Sequence, residues 1–102
     1  MGIRPNILHL FTAMQRADTI GAINNPVIKT PNLDRLFKDG VAFTNAFSPS
    51  PAASSARCAM IHGQYPANTG CYGNGSMCDD ARETFMGALA NAGYRTHGIG
   101  NC

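Results

Sequence analysis

Apolar residues fall along this chain in three short runs, separated by stretches with helical or turn-like spacing. Ile7-Leu8-His9-Leu10-Phe11 is apolar at nearly every position, the pattern of a strand covered on both faces in a parallel sheet. Val41, Phe43 and Phe47 alternate with Ala42, Thr44 and Ala46, which predicts a second strand with one large apolar face. Tyr94 to Ile99 provides a third. Between the first two, Thr30 is a good N-cap and Pro31 suits the first helical position. Leu33, Leu36 and Phe37 then share a face, and Gly40 can take the left-handed position that ends a helix. Asp80 and Glu83 have capping-box spacing ahead of Phe85, Leu89 and Ala92, and Gly93 stops that helix. Gly63 to Ser76, with Pro66 and three further glycines at 70, 73 and 75, reads as an irregular loop. The connections leave room for right-handed crossovers, so the pattern predicts an α/β fold. Its sheet is small, parallel or mainly parallel, of about three strands flanked by helices.

The segment Ala53-Ser54-Ser55-Ala56-Arg57, followed by Gly63-Gln64-Tyr65-Pro66, carries the most chemistry. It resembles the active-site signature of the type I sulfatases, sulfuric ester hydrolases of the alkaline phosphatase superfamily. That signature reads Cys or Ser, any residue, Pro, Ser or Ala, then Arg, with Thr-Gly-Arg-Tyr-Pro several residues later. Arg4-Pro5-Asn6-Ile7-Leu8 is similar to the family's opening strand, and Thr30-Pro31-Asn32-Leu33-Asp34-Arg35-Leu36 to its first helix. Gly40 to Phe47 and Glu83 to Thr96 resemble later segments in the same order. The resemblance implies one domain over residues 1–102, corresponding to the N-terminal part of the sulfatase/alkaline phosphatase fold.

The departures from the family pattern fall where its chemistry resides. The family oxidises its signature Cys to formylglycine, which attacks sulfur; that position here is Ala53, and a methyl group has no nucleophilic atom. The family holds calcium or magnesium with acidic residues after the first strand, where this chain has Thr12-Ala13-Met14-Gln15, an alanine at the ligand position. A sulfate-contacting Lys corresponds to Asn101. The later metal-binding Asp-Asn pair and the leaving-group acid have no counterpart among these residues. Of the family's catalytic set only Arg57 matches, so no bound cofactor is expected, and repairing positions 13 and 53 alone should not create activity.

Arg57 also has a reading independent of family. A cation near a helix N-terminus opposes the helix dipole. An anion held by free helix amides, a forked guanidinium and the hydroxyls of Ser54 and Ser55 reverses that sign and makes a sulfate or phosphate cradle. Solvation, or an ion pair with an Asp, is the alternative. Ser54 and Ser55 as nucleophiles, with His62 or His97 as base, are disfavoured: they stand three and two positions before Arg57 rather than four, and each helical step turns the side chain by about 100°. They serve better as helix caps.

Composition narrows the partners. The net charge of +2 comes from dispersed residues rather than a basic stripe, which excludes the footprint of a nucleic-acid binder. With 44% hydrophobic and only 14% charged residues, the chain is poor in solvating charge, and uncovered sheet edges would favour a dimer or strand-exchanged homo-oligomer. No apolar run approaches the ~20 residues of a spanning helix, and no leader pattern opens the chain, so a cytoplasmic protein without membrane partners is expected. Reduced structural thiols are then the expectation for Cys58, Cys71, Cys78 and Cys102. A disulfide, or a soft-metal site drawing on Cys58, His62, Cys71, Cys78, His97 and Cys102, is the alternative. His9 fits a hydrogen-bonded interior position, and Met60 and Met86 fit core packing. Three functions follow: a sulfatase-like protein without catalysis that keeps an oxyanion cradle, a self-associating or soft-metal-binding protein on the same scaffold, and a residual sulfate or phosphonate ester hydrolase.

Overall fold

A computed structural model describes residues 4–78 and 81–100. The chain forms two compact units, Met1–Thr44 and Asn45–Cys102. Asp80, Asn101 and Cys102, which carried parts of the sequence reading, lie outside the described residues.

In the first unit, 3₁₀ turns at Ala17–Thr19 and Gly21–Ile23 precede helix α1, Pro31–Asp39. Pro31 opens α1 as expected, and Thr30 stands at the N-cap position. The Thr30 hydroxyl, however, does not cap the helix. It donates to Asp34 Oδ1 at 2.7 Å and accepts from the Gly21 N–H at 2.8 Å. Asp34 Oδ1 also accepts from the Ala22 N–H at 2.9 Å, so one side chain of α1 fastens the preceding turn. Gly21 is pressed against this network; a Cβ there would lie 3.0 Å from Asp34 Oδ2 and 3.2 Å from the Ile28 carbonyl oxygen. Asp34→Ala is expected to destabilise this unit by about 1–2 kcal/mol and to expose the Gly21 and Ala22 amides. Hydrogen exchange at those two amides checks it.

Gly40 ends α1 without the left-handed geometry expected of it. Its φ is −118°, its N–H donates to the Leu36 carbonyl at 3.0 Å, and an added Cβ would stand 3.0 Å from that same oxygen. Close approach, rather than handedness, is what the missing side chain allows here. The expected apolar face is largely uncovered: Leu33 and Leu36 are exposed and Phe37 is half-buried.

No strand forms among the described residues. Residues 7–11, 41–47 and 94–99 lie outside regular structure, with Leu8 81%, Phe47 90% and Ile99 100% exposed. Apolar alternation specifies a face, but a strand persists only when a neighbouring backbone takes its N–H and C=O groups and a second layer covers that face. Among the described residues, no neighbouring strand pairs with these segments. His9 is accordingly exposed rather than interior, stacked on Phe11 with ring centroids 6.4 Å apart.

The second unit holds helices α2 (Ala53–His62), α3 (Pro66–Thr69) and α4 (Phe85–Asn91). Helix α2 starts from Ala52, so Ser54 and Ser55 occupy its first turn instead of capping it, and Arg57 falls in its second turn. The helix ends at Gly63, φ 62°, where the Gln64 N–H returns to the Ala59 carbonyl at 3.2 Å. Pro66 nucleates the single turn of α3 inside the stretch expected to be irregular. Thr84 caps α4: its Oγ1 accepts from the Gly87 N–H at 3.0 Å. At the other end Gly93 has φ 88°. There the Gly93 N–H reaches the Ala90 carbonyl at 2.9 Å and the Tyr94 N–H reaches Leu89 at 3.0 Å, the paired bonds of a Schellman ending.

Among its described residues, the buried ones are Ser55, Cys58 and Ala59 on α2, Thr69 on α3, and Cys71. Met60 and Met86 are only half-buried. A disulfide joins Cys58 to Cys78, while Cys71 is a buried free thiol. Two of the thiols expected to be reduced are therefore paired, because the loop after α3 folds back across α2; sequence spacing does not reveal such a return. Among the described residues, no helix is long and apolar enough to cross a membrane.

Candidate functional site

The signature residues gather on α2. Ala53 is its first residue and Arg57 follows four positions later, so both lie on one face. Long helical side chains lean toward the N-terminus, which directs the guanidinium toward the end where Ala53 sits. Arg57 is half-buried and, among the described residues, takes no hydrogen bond or ion pair. Its place in the second turn also weakens the dipole penalty that a first-turn cation would suffer.

The three residues expected to hold an anion have different fates. The Ser54 hydroxyl is free of protein partners among the described residues, whereas its N–H donates to Asn74 Oδ1 at 3.2 Å. Asn74 thus acts as a distant cap, accepting from the second helical amide as an N-cap oxygen would. The Ser55 hydroxyl donates to the Cys71 carbonyl, and the residue is 0% exposed. Its only proton is committed to holding the loop against α2, so it has none to offer an anion. Asn74 was not visible as a functional residue in sequence, since it lies in a glycine-rich stretch with no local pattern to mark it.

The family's own cofactors do not fit these side chains. Ala53 has no sulfur to oxidise, and Ala13, exposed in a turn beside Met14, has no oxygen on its side chain to give a divalent cation.

A second cluster lies farther along α2. Cys58 and His62 are four residues apart on the helix, and their ligand atoms and that of Cys78 all lie within 4.8 Å of one another. His62 Nδ1 is 3.0 Å from the Glu83 carbonyl oxygen. Because a carbonyl only accepts, Nδ1 is the donor in this contact, which leaves Nε2 as the ring nitrogen not engaged by Glu83. The other candidates stand apart. The Cys71 thiol donates to the Ser76 carbonyl at 3.8 Å. His97 is exposed and joins no ligand group among the described residues, and Cys102 is outside them.

Comparison with known proteins completes the picture. The sulfatase family model matches residues 5–102. An ulvan-active sulfatase of Formosa agariphila is 39% identical over 91% of this chain and 18% of its own length. An N-acetylgalactosamine-6-O-sulfatase of Bacteroides thetaiotaomicron is 33% identical over 95% of the chain and 20% of its own. An N-acetylglucosamine-6-O-sulfatase of the same organism is 29% identical over 95% and 17%. The chain thus spans about a fifth of the length of these relatives. No solved structure matches it. The order of its segments, the placement of Arg57 one turn beyond Ala53 on α2, and the family match across nearly all of its residues agree: the chain belongs to the sulfatase family.

Proposed function

We propose that this chain is a sulfatase-like segment without ester hydrolysis that retains an oxyanion cradle at the N-terminus of α2. The supporting observation is the half-buried residue Arg57, whose side chain has no protein partner among the described residues, on the same helical face as Ala53. The amide of Ala53 and the Ser54 hydroxyl add donors at the same end, and among the described residues neither has a partner. Sulfate or phosphate is the ligand of this chemistry. Calorimetric titration of the full chain with each anion tests it. Arg57→Ala should weaken binding roughly tenfold to hundredfold, the scale of charged hydrogen bonds, and Ser54→Ala should weaken it less. Equal affinity in Arg57→Ala would end the proposal.

A second reading rests on the exposed apolar segments at 7–11, 41–47 and 94–99. They are the sheet strands of an α/β fold whose partners come from a second copy, in a dimer or strand-exchanged homo-oligomer. Light scattering coupled to size exclusion should give twice the 10.8 kDa chain mass or more. A monomer at every concentration would refute this.

A further inference from the structure

We propose that Cys58, Cys78 and His62 form a zinc-type metal site that is closed while the disulfide is intact and opens on reduction. This rests on the cluster around the C-terminal half of α2 and is independent of the anion cradle. The two sulfurs and a ring nitrogen of His62 lie within 4.8 Å of one another. A tetrahedral zinc ion with bonds of about 2.3 Å to sulfur and 2.0–2.1 Å to nitrogen needs its ligands roughly 3.5–3.8 Å apart, so on reduction the two sulfurs must separate by about 2 Å from bonding distance while the nitrogen approaches by about 1 Å. Cys58 and His62 are fixed one helical turn apart. Cys78 sits outside the helices on the loop and can supply most of that movement.

The surroundings suit a ligand set. The Nδ1–H of His62 is held by the Glu83 carbonyl, the outer hydrogen bond that fixes tautomer and ring orientation in histidine–metal sites. Cys58 is buried and the other two are half-buried. Bulk water is thus limited on the helix side while an entry path remains. Two sulfurs and one imidazole favour zinc over calcium or magnesium, and three protein ligands leave a fourth position for water or another donor.

The chemistry balances with a dithiol as reductant. Its two thiols give two electrons and two protons to the protein disulfide, producing the Cys58 and Cys78 thiols and the cyclic disulfide of the reductant. Zinc binding then releases those two protons as both sulfurs become thiolates.

The full chain, reduced by a dithiol and then freed of it without air, is titrated with cobalt(II) as a spectroscopic probe and then with zinc(II). A thiolate-to-cobalt charge-transfer band should appear and be displaced by one equivalent of zinc. Zinc should slow alkylation of Cys58 and Cys78 and leave Cys71 unchanged, a readout on the unsubstituted chain that no misfolded variant can confuse. His62→Gln should weaken zinc binding at least by the roughly tenfold to hundredfold that loss of an outer-shell partner already costs. Absence of the band in the reduced chain, equal zinc protection of Cys71, undiminished binding by His62→Gln, or equally tight binding by the oxidised chain would each overturn the proposal.

Discussion

A chromogenic aryl sulfate incubated with this chain and calcium is expected to hydrolyse no faster than in buffer. Turnover in this family needs an attacking atom and a cation to gather charge as the ester breaks; position 53 offers a methyl group and position 13 another. Removing the nucleophile of a well-studied hydrolase costs about 10⁶-fold in rate, and a catalytic metal contributes several kcal/mol more. The hydroxyl nearest the vacant position in sequence beyond Ser54 is that of Ser55, which is buried and tied to Cys71. It cannot substitute. Ala53→Cys alone should leave the rate unchanged, since the cation position remains an alanine. A rate that follows the protein through purification and vanishes in Arg57→Ala would contradict this expectation.

The largest effect on stability is expected from the Cys58–Cys78 bond. Closing a loop of 20 residues restricts the unfolded chain by about 3 kcal/mol in the chain-entropy account. The unit it serves has small side chains at its centre: Ser55, Cys58, Ala59, Thr69 and Cys71. Burial of so little apolar surface leaves a small domain dependent on a covalent link. For a domain near this size, 1 kcal/mol moves the midpoint by about 4–8 °C, so reduction, or the double substitution Cys58→Ser with Cys78→Ser, should lower it by more than about 10 °C. Circular dichroism melts with and without a dithiol provide the measurement. A melt unmoved by reduction would show that the bond contributes nothing to folding.

The sequence disclosed helices better than it disclosed what holds them. Pro31, Gly63 and Gly93 mark helix ends by local rules, because φ and a missing N–H belong to single residues. Thr84 escaped notice as a cap because Glu83 and Asp80 offer a competing pattern one to four positions earlier. The segments at 7–11 and 41–47, expected as strands, show that apolar patterning predicts a face and not the partner to cover it. At the candidate site, Ala53 and Arg57 were legible through their fixed spacing. The commitment of Ser55 to Cys71, the reach of Asn74 to Ser54 and the pairing of Cys58 with Cys78 were not. All three join residues 16 to 20 positions apart, and no helical or strand period encodes such returns.

Those same short reaches bear on biosynthesis. The ties that close the second unit, from Ser55 to Cys71, Ser54 to Asn74, Cys58 to Cys78 and His62 to Glu83, span only 16 to 21 positions. Local closure of this kind is kinetically quick. Helix α2 can therefore settle on a nascent polypeptide soon after residue 83 leaves the ribosome, before contacts of longer range are needed.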